Sequence, residues 1–460
     1  MQSNFKKFFK NNHMFNLIFM IAVLLMILLG SINILAADLT IPDVDYQSFE
    51  LGNGLQIMVF PDHSIPSLKL AVYYKVGAID EQQGQTGISH FLEHSMFLGT
   101  ESVPEGKIDD LISHVGGQLN AATNFDYTYY YYQVPSSMLE LVMALEADRM
   151  RNLKFDPAEI ERERKVVMQE RRLRTENNIF SNGFEKIKAY ALKDSYLEHN
   201  VVGWMKDISK ITVPQLKSYY QSYYAPNNAI LVVSGDVNYK QVKRLAKKYY
   251  GDYQPQKISR PQFNLPVQKQ EKVIKLHLPT KIPYALMLYQ IPAGDSKDLP
   301  AINIFLDILA NNQSSRLKEK LQQQDKLILE SGAFLYQLRE PSFALVYFIP
   351  SSENLVDQAQ LAFDQELNNV LENGITEAEF ELVKKQYQKS LIFSQRDIDS
   401  IAASKALAKL RYNKPDLENE KIAIINQLTK EDVIRIAKHY FQPEQRTRGY
   451  ILPAKEGEQK

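Results

Sequence analysis

The sequence predicts an α+β protein built from a repeated unit, and three observations carry that expectation. Strand-like runs stand at matching places in the two parts of the chain: Leu55–Phe60 and Leu68–Val76, then Val273–Leu278 and Ala285–Gln290. Each pair leads through an apolar helix to a later helix with a capped start. Asp156-Pro157-Ala158-Glu159-Ile160 parallels Thr376-Glu377-Ala378-Glu379-Phe380, and both offer residues suited to a capping box. Between the two parts, Gly251 to Lys272 is polar, holds three prolines and lacks clear periodicity, which reads as a linker. The expected divisions are a leader over 1–37, a first domain over 38–250, the linker over 251–272 and a second domain over 273–460.

Composition narrows the function. The chain has 460 residues, 45% of them hydrophobic, which suits folded domains and not a disordered chain. Lys+Arg and Asp+Glu both number 54, so no basic excess is present to neutralise nucleic-acid phosphates. There is no Cys, which removes disulfides, thiol catalysis and thiolate metal sites. Any metal must be held by His and carboxylates. No Gly-x-Ser-x-Gly elbow suggests a serine hydrolase.

The elements follow in chain order. Lys6, Lys7 and Lys10 precede an unbroken apolar run from Leu17 to Leu29, and small residues Ala36 and Ala37 stand before Asp38, the first acidic residue. This is the layout of a secretory signal peptide cut after Ala37, although Leu35 fits the cleavage pattern imperfectly. The alternative is an uncleaved membrane anchor over Met14–Ala37, which is long enough to span a bilayer. Either way the body of the protein is expected outside the cytoplasm, periplasmic or otherwise extracytoplasmic. Loss of residues 1–37 takes three lysines away and leaves a formal charge of −3.

Gly87 to Gly99 reads as a short helix stopped by Gly99. His90 and His94 are four apart, so both rings project from one face, with Glu93 between them. Ile88, Phe91, Leu92, Met96, Phe97 and Leu98 make the rest apolar nearly all round, the mark of a buried helix. Two imidazoles and a carboxylate are costly there unless compensated, and a divalent cation would compensate them. A pair of surface or hydrogen-bonded histidines is the plainer alternative. The order His-x-x-Glu-His inverts the commoner zinc signature.

Gly116-Gly117 suits a tight turn, and the Thr/Tyr-rich stretch to Tyr132 suits a strand. Such a strand either packs as an ordinary aromatic strand or accepts an extended peptide at its edge. A hydrolytic zinc site takes three protein ligands, so a third is needed. On a helix over Asp156 to Asn178, Glu163 and Glu170 fall in one apolar sector with Ile160, Val166, Val167 and Leu173, while Arg171 and its basic neighbours fall outside it. Two glutamates on a core face pair with buried Arg, or supply one ligand and one supporting carboxylate. The remaining His63, His114, His199, His277 and His439 lack ligand-like spacing.

With these motifs the mature chain resembles the pitrilysin/insulinase-like zinc metallopeptidases, among them the smaller bacterial members and the mitochondrial processing peptidase β-subunit. His90-Phe91-Leu92-Glu93-His94 is similar to the family's zinc helix. Glu163-Arg164-Lys165-Val166-Val167-Met168-Gln169-Glu170 is similar to its second zinc segment. Asn120-Ala121-x-Thr123-x-x-Asp126-x-Thr128-x-Tyr130 follows its substrate strand, and Tyr223-Tyr224-Ala225-Pro226-Asn227-Asn228 a later stretch. The resemblance implies two homologous α/β-roll halves, each an antiparallel-rich sheet with helices on one face, enclosing a peptide-binding chamber. It implies one Zn2+ per chain on His90, His94 and Glu170, with Glu93 as general base and Glu163 in support. Asn120 and Ala121 would contact a peptide or unfolded polypeptide bound as an extended strand and cleaved internally.

One departure stands out. Active relatives often carry an Arg and a Tyr, seven residues apart, in the second half, where they contact substrate beside the zinc. The matching positions here are Gln322 and Leu329, and Val383 and Ser390 stand where the first half has Glu163 and Glu170. The second half is thus expected to be degenerate at the metal. The missing clamp implies a partner: a homologous subunit or a second copy of the chain. Two other function classes stay open, a non-catalytic peptide-binding scaffold and a binding module whose zinc is structural.

Overall fold

The computed structural model describes residue 41 and residues 44–454. The expected signal or anchor segment lies outside the described residues. Among the described residues no helix is long and apolar enough to cross a membrane.

The first part opens with β1 (Gln47–Glu50), β2 (Gln56–Pro61) and β3 (Ser67–Tyr74). Two short helices, α1 (Ile88–Ser95) and α2 (Lys107–His114), lead to β4 (Gln118–Thr123) and β5 (Thr128–Pro135). Five helices follow: α3 (Leu139–Arg151), α4 (Pro157–Arg171), α5 (Ile179–Ala191), α6 (Met205–Ile208) and α7 (Val213–Tyr223). Then come β6 (Ala229–Gly235) and α8 (Tyr239–Tyr250). The strands form one sheet in the order β1-β2-β6-β3-β5-β4, antiparallel except for the parallel pair β2 and β6.

The second part runs β7 (Lys272–Leu278), β8 (Tyr284–Ile291), α9 (Leu299–Leu306), β9 (Ile328–Leu335) and β10 (Ser342–Pro350). It continues through α10 (Val356–Asn373), α11 (Glu377–Phe393), α12 (Ile398–Tyr412), α13 (Leu417–Gln427) and α14 (Lys430–Tyr440) to β11 (Arg446–Pro453). Its sheet order is β7-β11-β8-β10-β9, with β7 and β11 parallel and the rest antiparallel. With β1 set aside, the two sheets have the same order and the same strand directions. The protein is therefore α+β with one topology used twice.

Period-2 alternation decides what each strand faces. In β3, Leu68, Leu70, Val72 and Tyr74 join the core under the first part's own helices, whereas Ala71 and Tyr73 point the other way. In β8, Ala285, Met287, Tyr289 and Ile291 face their own helices, and Leu286 and Leu288 face away. Each sheet is thus buried on both faces, and the second face is covered by the opposite part. Helix α12 lays Ile401, Ala402, Ala406 and Leu410 on β2, β3 and β6. Helix α5 lays Ile187 and Ala191 on β7, β8 and β11. This reciprocal cover extends the expectation of helices on one face only.

Two further expectations change in detail. The Thr/Tyr-rich stretch is a hairpin and not one strand: Asn124 N donates to Tyr127 O at 2.8 Å, and the chain reverses between β4 and β5. Of the two expected capping boxes, that at Thr376 is reciprocal, its hydroxyl and amide both reaching Glu379. Asp156 caps the amides of Ala158 and Glu159, but the Glu159 carboxylate turns instead to Lys154 at 3.5 Å. The segment after α8 has no helix or strand before β7, and side chains pin it down. Arg260 donates to Asp80 and Asn228, and Gln268 accepts from the buried Thr447 hydroxyl at 2.8 Å.

Candidate metal centre

Helix α1 starts at Gly87, whose φ of 86° is left-handed and which has no side chain to cap with. A Cβ there would meet Val202 O at 2.1 Å, so the close approach also requires glycine. Glu81 supplies the missing cap, accepting from Gly87 N at 2.6 Å and Ser89 N at 2.9 Å. Phe91, Leu92 and Ile88 bury the helix in the core of the first part. That packing fixes the direction in which His90 and His94 project.

Helix α4 crosses α1 and brings both glutamates to the histidines. His94 Nδ1 lies 2.8 Å from Glu163 Oε1, and His94 Nε2 lies 3.1 Å from Glu170 Oε2. His90 Nε2 stands 3.7 Å from Glu170 Oε1. One atom from each of His90, His94 and Glu170 falls within 4.8 Å of the others, the single such group among the described residues. Arg174, one turn beyond Glu170, pairs with Glu170 Oε1 at 2.8 Å.

The apolar stripe expected on α4 is partly wrong. Val166 is 48% and Leu173 60% exposed, while Arg171 is buried. Glu163 and Glu170 turn toward the histidines, Ile160 and Val167 stay buried, and only Val166 and Leu173 of the sector are left exposed. After Arg171 the helix widens into a π-turn over Arg172–Glu176, which breaks the 100° extrapolation. Arg171 is accommodated by Glu185, through two bonds at 2.8 and 3.0 Å, and by Gly203 O.

Electrostatics separate the two histidines. Burial, reinforced by the neighbouring His94, pushes His90 down to about 4, which favours a neutral ring. Burial acts on His94 in the same sense, but hydrogen bonds to Glu163 and Glu170 outweigh it and hold that ring up at about 9. The His94 bond lowers Glu170. Burial raises Glu93, partly offset by the Thr123 hydroxyl that donates to its Oε2 at 2.5 Å.

The donor set fits a zinc ion. Ligand atoms about 2.0–2.2 Å from a tetrahedral centre lie roughly 3.3–3.6 Å apart. The Glu170 carboxylate stands at comparable distances from both rings, 3.7 Å from His90 Nε2 to Oε1 and 3.1 Å from His94 Nε2 to Oε2. With Nδ1 of His94 engaged by Glu163, Nε2 is the nitrogen free to ligate. Buried His90 Nδ1 has no hydrogen-bond partner, so no protein group fixes that ring's tautomer, and His90 Nε2 is the nitrogen that faces Glu170. Glu93, Glu163 and Glu170 crowd the two rings, and Arg174 is the only Arg or Lys in the cavity lining.

The centre opens into a cavity of about 580 Å³ lined by residues between His90 and Val202. Asn120 and Ala121 line it, on the terminal strand of the first sheet. Thr123 and Arg174 also line it, and neither is marked as a site residue by the sequence alone. Arg174 was legible only as an i+4 partner of Glu170, and Thr123 only as a letter in a motif. In the second part Val383 is buried, Ser390 is exposed, and Gln322 Nε2 donates to Leu329 O at 2.7 Å. None of these four offers a cationic or phenolic group. Of the other histidines, His63 pairs with Asp236 at the surface and buried His199 bonds Asn200 O.

Comparison with known proteins places this geometry in context. The zinc protease PqqE of Helicobacter pylori is 28% identical over 421 residues, covering 89% of this chain and 93% of that protein. A solved structure of a protease from Helicobacter pylori matches with a TM-score of 0.83 at 27% identity, over 89% of this chain and 100% of that one. The first half of the periplasmic protease PqqL from Escherichia coli matches in fold, with a TM-score of 0.74 at 20% identity over 90% and 93% of the two chains. Residues 58–202 match the family model described as Insulinase (Peptidase family M16), and residues 210–387 match the Peptidase M16 inactive domain. Two models of one family, adjacent and in order, together match most of the chain, and the chain belongs to the insulinase-like peptidase family.

Proposed function

We propose that the protein is a zinc-dependent endopeptidase that hydrolyses peptides or unfolded polypeptides bound as an extended strand. The observation that carries this reading is the convergence of His90, His94 and Glu170 within 4.8 Å, with Glu93 beside them in an open cavity. In this reading His90, His94 and Glu170 hold one zinc ion, and Glu163 fixes His94 through Nδ1. Zinc so held supplies Lewis acidity, polarising a carbonyl and bringing the pKa of water toward about 7. Glu93 takes the proton of the attacking water and passes it to the leaving amine. Desolvation raises its partly buried carboxylate above the ordinary glutamate value, which makes it a better proton acceptor. The free edge of β4 offers backbone groups to an extended peptide, with Asn120 and Ala121 at the contact.

The zinc-bearing domain is residues 38–250 and the degenerate one residues 273–460, joined by 251–272. The leader-like start of the sequence, together with the periplasmic location of the fold relative PqqL, supports an exported protein, secreted into the periplasm or held at its N-terminus. Gln322 and Leu329 support a second reading of the same chemistry, in which a homologous partner chain or a second copy contributes the substrate clamp.

The test is zinc content and cleavage of an unfolded polypeptide, with and without chelator. Wild type is expected to carry one zinc and lose cleavage on chelation. Glu93→Gln is expected to retain zinc and lose cleavage, and His90→Ala to lose both. A Glu93→Gln protein as active as wild type would end the assignment of the base.

A further inference from the structure

Thr123 closes β4, the strand at the end of the first sheet. Along that strand Leu119 and Ala121 pack against the core that contains α1, and Thr123 shares their parity. Its hydroxyl therefore points toward the zinc helix, where it donates to Glu93 Oε2 at 2.5 Å. Behind it lies Thr128, the first residue of β5, buried and 3.5 Å away. The Thr128 hydroxyl is itself fixed on Val76 O at 2.9 Å.

The Glu93 side chain does not orient itself. The terminal torsion of a glutamate is broad, so its own rotamer does not choose which oxygen faces the cavity. His94 and Glu170 stand close enough to attract and repel it. A charge-assisted bond from a rigid strand end is strong enough to decide the matter.

We propose that Thr123 is the positioning residue of Glu93, its hydroxyl holding Oε2 so that Oε1 is presented to the cavity. This rests on the endopeptidase reading and adds a residue to it. It also ties two parts of the site together, because the strand offering its edge to a peptide is the strand that aims the base.

The experiment compares Thr123→Val with Thr123→Ser in the full chain, on one unfolded peptide substrate, with zinc content measured alongside. Val keeps the shape and strand preference of Thr without the hydroxyl. Expected for Val are unchanged zinc content, KM within about twofold, and kcat lowered about 10- to 100-fold, the range of a hydrogen bond to a charged group. Ser returns the hydroxyl and is expected to restore kcat to within about threefold. The inference is overturned if Val retains wild-type kcat, if the loss falls on KM, or if Ser is as slow as Val. If Val fails to fold, Thr123→Ala against Thr123→Ser asks the same question. Wild-type cleavage that survives chelation would instead sink the endopeptidase reading itself, whatever the Thr123 variants do.

Discussion

The Asp126 carboxylate accepts two hydrogen bonds from the Arg411 guanidinium, at 2.7 and 3.1 Å, although 285 positions separate them in sequence. Asp126 sits at the tip of the β4–β5 hairpin, and Arg411 near the end of α12. Arg339, from the loop between β9 and β10, donates its backbone amide to Asp126 Oδ2 and a guanidinium N–H to Asp126 O, both at 2.7 Å. Arg339 and Arg260 also share Asp80 Oδ1 at 2.6 Å. Two fully buried carboxylates of the first part thus meet two arginines of the second and one of the connecting segment. Removing one member of a buried ion pair costs about 3–5 kcal/mol, because the partner charge is stranded. Asp126→Asn should therefore destabilise the protein by roughly 3 kcal/mol, read as a lower denaturation midpoint. A change below about 0.5 kcal/mol, typical of surface substitutions, would mean that the network does not hold the hairpin tip.

Glu163 offers a second test, because it touches His94 from the side away from Glu170. Partners that orient a metal-binding His typically contribute 10–100-fold in affinity or activity. Glu163→Gln should weaken zinc binding by about that factor while the fold persists. Glu170→Ala should go further and abolish stoichiometric zinc. Equal zinc affinity in wild type and Glu163→Gln, measured by competition with a chelator, would remove Glu163 from the site.

Lys188 makes a prediction about pH. Its ammonium is fully buried on α5, held by the carbonyls of Leu197 and His199. Burial lowers it to about 7, only partly offset by Glu185 and Glu198. The unfolded chain, with a lysine near 10.5, binds more protons between those values, so this group's contribution is full above 10.5 and is lost as pH falls through about 7. The stability of wild type relative to Lys188→Met should rise by about 1.4 kcal/mol per pH unit across that window. Urea titrations at pH 7, 8 and 9 would show it. A difference independent of pH would mean that the amine titrates as it does in water.

Much of this was legible in the sequence because local rules and function agree there. His90 and His94 share a face through helix period alone, and the capped start at Asp156 gave α4 its register. The duplicated plan showed in matched strand runs, since period-2 and period-3.6 patterns survive divergence. What stayed hidden depends on contacts between distant segments. Nothing local marks Arg171 as buried, because its cover comes from Glu185 and Gly203 O. The π-turn after Arg171 displaced Leu173 from the stripe, and single-sequence periodicity has no signal for such a turn. Thr123 looked like any strand threonine until the fold set it against Glu93. The reciprocal cover of the sheets by α5 and α12 was equally out of reach, since a helix pattern says which face is apolar and not whose sheet it meets.

That reciprocal cover can be tested at Gly183. On α5 it faces β11 of the second sheet, where an added Cβ would stand 2.2 Å from Ile451 Cδ1 and 2.6 Å from Cγ1. The opposite surface is equally tight: a Cβ on Gly449 would meet Ile187 Cγ2 at 2.3 Å. Two glycines, one on each element, thus let the helix of one part lie close on the sheet of the other. Ile451 is fully buried and stiff at χ1, so Gly183→Ala already crowds the contact, and the gain in helix propensity offsets only part of the cost. Gly183→Leu crowds it further, and overpacking of this kind costs about 1–3 kcal/mol. Because the wedge acts between the parts and leaves each core intact, protease nicking within residues 252–271 should accelerate before global unfolding shifts. A Leu variant with wild-type stability and wild-type protease resistance would show that α5 does not clamp the second sheet.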